Sequence, residues 1–142
     1  MKARAALLVL WAASGCALSN LTPGARFSES AHTLNDSARW GQLSVASEHV
    51  APTYQASFAD RHRGWGSRIN IAEVEIKSLV IAPDKESATS EVMLNWYDQS
   101  TMTLESSLIT QRWDVQRGSF LLAEESVREG NPHIFAENQD KP

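Results

Sequence analysis

The sequence predicts an α+β domain in which two N-terminal helices pack on a curved, four-stranded antiparallel sheet. Three observations predict it. Apolar residues at helical spacing are confined to the first half of the chain, and alternating stretches rich in Ile, Val and Trp fill the second half. Those stretches are joined by turns too short for a crossover, so consecutive strands are antiparallel neighbours and form a meander.

The first helix opens at Ser28 or Ser30, either of which can cap it, with Glu29 near the positive end of the helix dipole. Ala31, Leu34 and Ala38, with Leu43 and Val45 beyond, supply spacings of three and four, and Trp40 and Leu43 are also three apart. Gly41 weakens the middle of that helix by about 1 kcal/mol relative to Ala, and beside Trp40 it lets another backbone approach closely. The second helix follows 46–49: Val50, Tyr54, Ser57 and Phe58 form its face, and Pro52 is tolerated in its first turn. Arg61-His62-Arg63-Gly64-Trp65-Gly66 ends it, with basic side chains at the negative end followed by Gly.

The first strand covers 69–82. Val74, Ile76 and Val80 keep one parity while Ile69 and Ile71 keep the other, which predicts a bulge near Ala72-Glu73. After the turn Pro83-Asp84-Lys85, the second strand covers 88–97, with Ala88, Val92, Leu94 and Trp96 inward against Thr89, Glu91 and Asn95. Asp98-Gln99-Ser100 turns the chain into a third strand carrying Met102, Leu104 and Leu108 on one face and Ile109, Gln111 and Trp113 on the other. Arg117-Gly118 makes the next turn, and Phe120-Leu121-Leu122 begins a fourth strand that fades into the charged run 124–130.

This element order, with Arg39-Trp40, Gly64-Trp65 and the long Trp-bearing strands, resembles the nuclear-transport-factor-2-like, or cystatin-like, superfamily over 27–125. The resemblance implies an α+β cone. That superfamily includes isomerases, polyketide cyclases, transport factors and non-catalytic envelope proteins, so the fold alone does not select an activity.

The first sixteen residues carry a separate message. Lys2 and Arg4 precede an apolar run over 5–13 and then Ser14-Gly15-Cys16, the pattern of a secretory signal. The run is far shorter than the roughly 20 residues of a membrane-spanning helix. Ala13-Ser14-Gly15-Cys16 resembles the lipobox of bacterial lipoproteins, with Ala13 where Leu is most common. The resemblance implies cleavage before Cys16, acylation of Cys16 with diacylglyceryl and palmitate-type chains, and an envelope address, with Ala17 after the cysteine favouring the outer membrane. Cys16 is the single cysteine of the chain, as expected of an acylated thiol with no disulfide partner.

The expected organisation is therefore a signal peptide at 1–15, a lipidated tether at 16–27 with Pro23-Gly24 as a turn, one α+β domain at 28–136, and a polar tail at 137–142. Loss of the signal lowers the basic residues from 13 to 11 against 17 acidic ones. No Lys/Arg cluster follows a phosphate backbone, which argues against nucleic acid as a partner.

Candidate acids and bases are Asp36, Asp60, His49, His62, Tyr54 and Tyr97, and none has a spacing that identifies a catalytic set, so no catalytic residue is assigned. Tyr54 reads as a core tyrosine with a bonded hydroxyl, and Asp60-Arg61-His62-Arg63 as a solvated helix end. His32, His49, His62 and His133 are scattered without metal-ligand spacing, and no Gly-rich phosphate loop or nucleophile elbow is present, so no metal or cofactor is expected. Trp40, Trp65, Trp96, Trp113, Phe58 and Phe120 either line an apolar pocket or close the core; the core reading is preferred because a disulfide-free domain needs that area. Glu91, Asn95, Glu105, Gln111, Arg112 and Asp114 decorate the sheet and offer a docking face if they share one side. The expected function is a non-enzymatic, lipid-anchored envelope module that binds or assembles another envelope component. The alternative is a small hydrophobic-ligand binder or an isomerase- or cyclase-like enzyme using the cone interior.

Overall fold

The computed structural model describes residues 21–136; Cys16, the 1–15 segment, residues 17–20 and the 137–142 tail lie outside the described residues. Helix α1 spans Pro23–Arg39, five residues ahead of the expected start. The Thr22 hydroxyl accepts a hydrogen bond from the Ala25 N–H at 3.2 Å, and Pro23 occupies the first turn, where its missing N–H costs nothing. Pro23-Gly24 is thus a helix start rather than a turn in a tether. Phe27, expected as the last tether residue, is buried against Trp113 and Phe120, with ring centroids 5.6 and 5.0 Å away.

The expected first helix divides at Trp40-Gly41. Gly41 has φ 71° and Gly66 φ 77°, and the two backbones cross so closely that a Cβ on Gly66 would meet the Gly41 Cα at 2.8 Å. The close approach expected at Gly41 is present, but it ends α1 and does not merely interrupt it. A short α2 follows at Leu43–Ser47, and α3 covers Gln55–Arg61. Pro52 lies in the turn before α3, not in its first helical turn. Gly66→Ala is expected to lower stability by about 1–3 kcal/mol, from the left-handed backbone together with the clash. A thermal melt matching that of the parent would contradict this.

The four strands are β1 (Ile69–Ile81), β2 (Ser87–Asp98), β3 (Leu104–Gln116) and β4 (Ser119–Gly130), hydrogen-bonded in the order β1-β2-β3-β4 and antiparallel throughout. The fold class is the expected one, an α+β cone with an open meander sheet, its helical layer built from three segments instead of two. The β1 register shifts between Ile71 and Glu73, where the parity change predicts it, and again between Ile76 and Ser78. The β3–β4 ladder shifts at Leu108/Ile109 and at Arg112/Trp113. Such bulges sharpen twist and bend the sheet around the helices.

Strand β4 does not fade at Leu122. It continues through the charged run to Gly130, because the shift at Arg112/Trp113 leaves Ala123 unpaired and turns Glu125 inward opposite Gln111. A 3-10 turn at Pro132–Ile134 then carries Ile134 and Phe135 into the core. The inner face of the sheet presents Val92, Leu94, Trp96, Ile109, Trp113 and Leu122 to α1, whose buried stripe is Phe27, Ala31, Leu34 and Ala38.

Candidate functional site

Polar groups form a chain through the cone interior. Trp113 Nε1 donates to Ser90 Oγ at 2.9 Å, and Ser90 Oγ donates to Gln111 Oε1 at 2.9 Å. Asn35 and Gln111 exchange amide hydrogen bonds at 3.1 and 2.9 Å across the gap between α1 and β3. Gln111 Nε2 also donates to Glu125 Oε1 at 3.0 Å, and Glu125 Oε2 stands 3.3 Å from His62 Nε2. His62 Nδ1 lies 2.8 Å from the Phe58 carbonyl one helical turn back. Asn35, Ser90, Gln111, Glu125 and His62 are all buried, and every one of them bonds within this chain. A buried polar network of this kind fixes one arrangement of the elements that carry it, and Glu125 Oε2 is the atom of it left without a hydrogen bond.

The His62–Glu125 contact closes the end of the cone where α3 meets β4. His62 is 1% exposed, so this part of 60–63 is not the solvated helix end expected; Asp60 and Arg63 are, paired with each other at 3.0 Å on the surface. The reason is position. His62 lies one turn after Phe58, on the buried face of α3, and its ring sits 4.0 Å from that of Phe58, 4.4 Å from Trp65 and 5.2 Å from Phe135. Trp65 Nε1 donates to the Ile134 carbonyl at 3.0 Å, and the Trp65 and Phe135 rings are stacked 6.1 Å apart. The turn after β4 is thereby fastened over the pair.

Arg61 links the same elements from the outside. Its Nη1 donates to the Glu125 carbonyl at 2.7 Å and to the Tyr54 hydroxyl at 3.1 Å, and its guanidinium stands 4.1 Å above the Phe135 ring. Burial, followed by the negative charge of Glu125, pushes the Tyr54 hydroxyl up to about 12, with Arg61 opposing. Tyr54 is the bonded tyrosine the sequence predicts. Because its folded-state pKa exceeds its unfolded value of 10.0, its contribution is intact below pH 10 and is lost as pH rises from 10 toward 12. Tyr54→Phe should therefore lose less stability than the parent between pH 10 and 12. Equal losses in urea titrations would refute the assignment.

The other candidates are dispersed. Asp36 and His32 are exposed on α1, and His133 is exposed after β4. His49 lines an open cavity of about 420 Å³ with Arg26, Glu29, Glu48 and Phe120, beside the N-terminus of α1. Tyr97 lines another, about 330 Å³, with Arg39, Trp40 and Asn70. No group of three or more His, Cys, Asp or Glu suited to a metal occurs among the described residues.

The aromatic set divides. Trp65, Trp96, Trp113, Phe58 and Phe120 are core, and Trp96 and Trp113 share the inner face, with Trp96 Nε1 donating to Ser107 Oγ at 3.0 Å. Trp40 is 65% exposed, with the Arg39 guanidinium 4.7 Å over its ring. Arg39 itself reaches the Ile71 and Ala72 carbonyls, which holds the end of α1 against β1.

The polar sheet residues divide too. Glu91, Asn95, Arg112 and Asp114 share the outer face with Met93 and Leu108, and Arg128 pairs with Glu91 there. Gln111 points inward, and Glu105 pairs with Trp96 in the inner-face register at the end of the sheet.

Asn35, Ser90 and Glu125 have no place among the candidates read from the sequence. Asn35 follows Ala31 by four and Leu34 by one, and Ser90 stands between Ala88 and Val92, so the periodicities that predict core already contain both. Glu125 is concealed in a charged run by a parity change that only the β3–β4 register reveals.

No protein-family model matches the sequence, and no curated protein matches it significantly. A solved structure from Nostoc punctiforme PCC 73102, described as a protein of unknown function with a cystatin-like fold, is similar over 75% of this chain and 90% of that one, at 12% identity and a TM-score of 0.52. This similarity establishes a cystatin-like fold for the domain and carries no activity with it.

Proposed function

We propose that the protein is a non-enzymatic, lipid-anchored component of the bacterial envelope, held at the outer membrane through Cys16, whose cystatin-like domain binds or assembles another envelope component. The observation that supports a binding module over an enzyme is the filled cone. Trp113, Phe27, Phe58 and Phe135 are fully buried inside it, and Glu125 and His62 lie beneath that packing, where a substrate has no approach in this conformation. Surfaces remain for recognition. The outer face of the sheet combines Glu91, Asn95, Arg112 and Asp114 with the partly exposed Met93, a mixture of paired charge and apolar area suited to a protein partner.

The anchor rests on the Ala13-Ser14-Gly15-Cys16 motif. No helix among the described residues is long and apolar enough to cross a membrane. Each buried methylene contributes about 0.8 kcal/mol, and two or more chains hold a protein stably. The seven steps from Cys16 to Pro23 reach at most about 25 Å when extended, which would keep the domain near the bilayer.

Cys16→Ser is expected to leave the domain folded and to move the protein from the membrane pellet to soluble or unprocessed fractions, with loss of labelled palmitate. Mature variant protein in the pellet would overturn the anchor. A second reading, isomerase- or cyclase-like chemistry in the cone, is favoured by the His62–Glu125 contact alone. Turnover in a substrate screen that vanishes in a folded His62→Gln variant would establish it and displace the binding-module reading.

A further inference from the structure

We propose that the notch at the β1 edge between Trp40 and Tyr97 is a saccharide-binding site, which takes a short stretch of a glycan chain on the face of Trp40. The platform comes first. Trp40 follows directly on α1 and is 65% exposed, although an indole packed in a core removes about 150–250 Å² from water. Its position is fixed. The Gly41–Gly66 crossing brings Gly66 so close that a Cβ there would meet the Trp40 carbonyl at 3.1 Å, and the Trp40 N–H donates to the Ser37 carbonyl at 3.2 Å. The Arg39 guanidinium stands 4.7 Å from the ring centroid and is itself held by the Ile71 and Ala72 carbonyls. An aromatic ring with a preset backbone and one backed face loses little conformational freedom when a ligand stacks on it.

The groups around the platform suit hydroxyls. The notch, about 330 Å³ and open to solvent, is lined by Arg39, Trp40, Asn70, Ala72 and Tyr97 together with the backbone of Gly66. Among the described residues the Tyr97 hydroxyl and Trp40 Nε1 have no hydrogen-bond partner, and Arg39 uses Nε and Nη2 but not Nη1. Asn70 Nδ2 donates to the Ser67 carbonyl at 3.2 Å, which leaves Oδ1 as an acceptor, and Asn70 and Tyr97 are cross-strand partners, side by side in the notch wall. A pyranose ring has an apolar C–H face, which stacks on the electron-rich face of an indole, and a rim of hydroxyls that both donate and accept. The notch offers the complement of each. Its described lining contains one cation and no carboxylate, so neutral and uronic-acid rings fit it and cationic amino sugars do not.

Other occupants fit less well. Strand addition by a peptide needs free edge carbonyls, and those of Ile71 and Ala72 are taken by Arg39. A nucleic-acid strand needs a run of cations to follow its phosphates, and Arg39 is the one charged residue in the described lining. The bulge contributes as well: the register shift between Ile71 and Glu73 leaves Ala72 unpaired and puts a small side chain in the notch. This site is distinct from the outer face that carries Glu91 and Arg112, and it requires no acylation of Cys16. Its failure would leave the envelope-module reading standing, and failure of the anchor would leave the notch intact.

The test is saturation-transfer NMR of the full chain, in detergent if acylated, with chitotetraose as the neutral probe and tetragalacturonic acid as the acidic one. The method reads ligand protons and needs no signal from Trp40. Saturable binding of at least one probe is expected, with a Kd of about 0.1–1 mM for so open a site. Trp40→Ala should weaken it by about tenfold or more and still melt with the parent, because the ring is exposed. Tyr97→Phe, which removes one hydroxyl, should weaken it by about three- to tenfold. Val80→Ser, which changes an exposed apolar residue at the far end of β1, should bind as the parent does. Tighter binding of tetragalacturonic acid would support the proposal with an acidic chain as ligand, and tighter binding of chitotetraose would support it with a neutral one. Absence of saturable binding by both probes, a Trp40→Ala or Tyr97→Phe variant that binds as the parent does, or an equal loss in Val80→Ser overturns the proposal.

Discussion

Trp113→Ala is expected to destabilise the domain by about 3–5 kcal/mol, a large share of the 5–15 kcal/mol by which domains of this size are stable. Trp113 is fully buried, its ring meets Phe27 edge-on at 5.6 Å, and its N–H is used by Ser90. Truncation would remove the contact between the sheet and α1 and leave a cavity beside Gln111, because Ser90 and Gln111 are held by partners on the far side. Trp113→Phe should cost less, about 1–2 kcal/mol, since most of the ring remains and Ser90 Oγ still donates to Gln111. Urea titrations of the three proteins give the ranking. An alanine variant that unfolds with the parent but loses a bound ligand would make Trp113 a site residue and reopen the cone as a pocket.

His62→Ala is expected to cost about 3–5 kcal/mol at neutral pH, because it leaves the Glu125 carboxylate buried with Gln111 as its side-chain donor. It also removes the ring packed between Phe58, Trp65 and Phe135. A buried pair differs from two independent contacts in one respect: once the first member is gone, removing the second relieves an uncompensated charge. His62→Phe combined with Glu125→Leu should therefore be less destabilised than the sum of its single variants, by about 1–3 kcal/mol. Additive losses in a double-mutant cycle would show that the two side chains do not act as a pair.

The two effects divide the core into an apolar part and a polar part with different origins in the sequence. The apolar part is legible because burial repeats along regular elements. Alternation in β2 identifies Val92, Leu94 and Trp96, helical spacing identifies Ala31, Leu34 and Ala38, and the parity change in β1 locates the first of its two bulges near Ala72-Glu73. Short turns fix the antiparallel order, since no crossover can be made in connections as short as 82–86, 99–103 and 117–118. These are local properties of the chain, and together they determine the α+β class and the strand order.

Boundaries of the helical layer depended on contacts with distant residues. The crossing of Gly41 with Gly66 ends α1, and the burial of Phe27 between Trp113 and Phe120 draws the start of that helix forward to Pro23. Neither partner is near in sequence. The polar network was still less accessible to sequence reasoning, because a charged residue in a charged run carries no mark of burial until its strand register is known. An unpaired Ala123 rotates Glu125 into the cone, and only the folding of α3 against β4 brings His62 to meet it. The sequence by itself thus determined the fold class, the strands and their order, and most of the apolar core, all of which follow from periodicity and short turns. Tertiary structure alone decided where the helices end and which polar side chains meet inside, because both depend on distances between residues that periodicity does not relate.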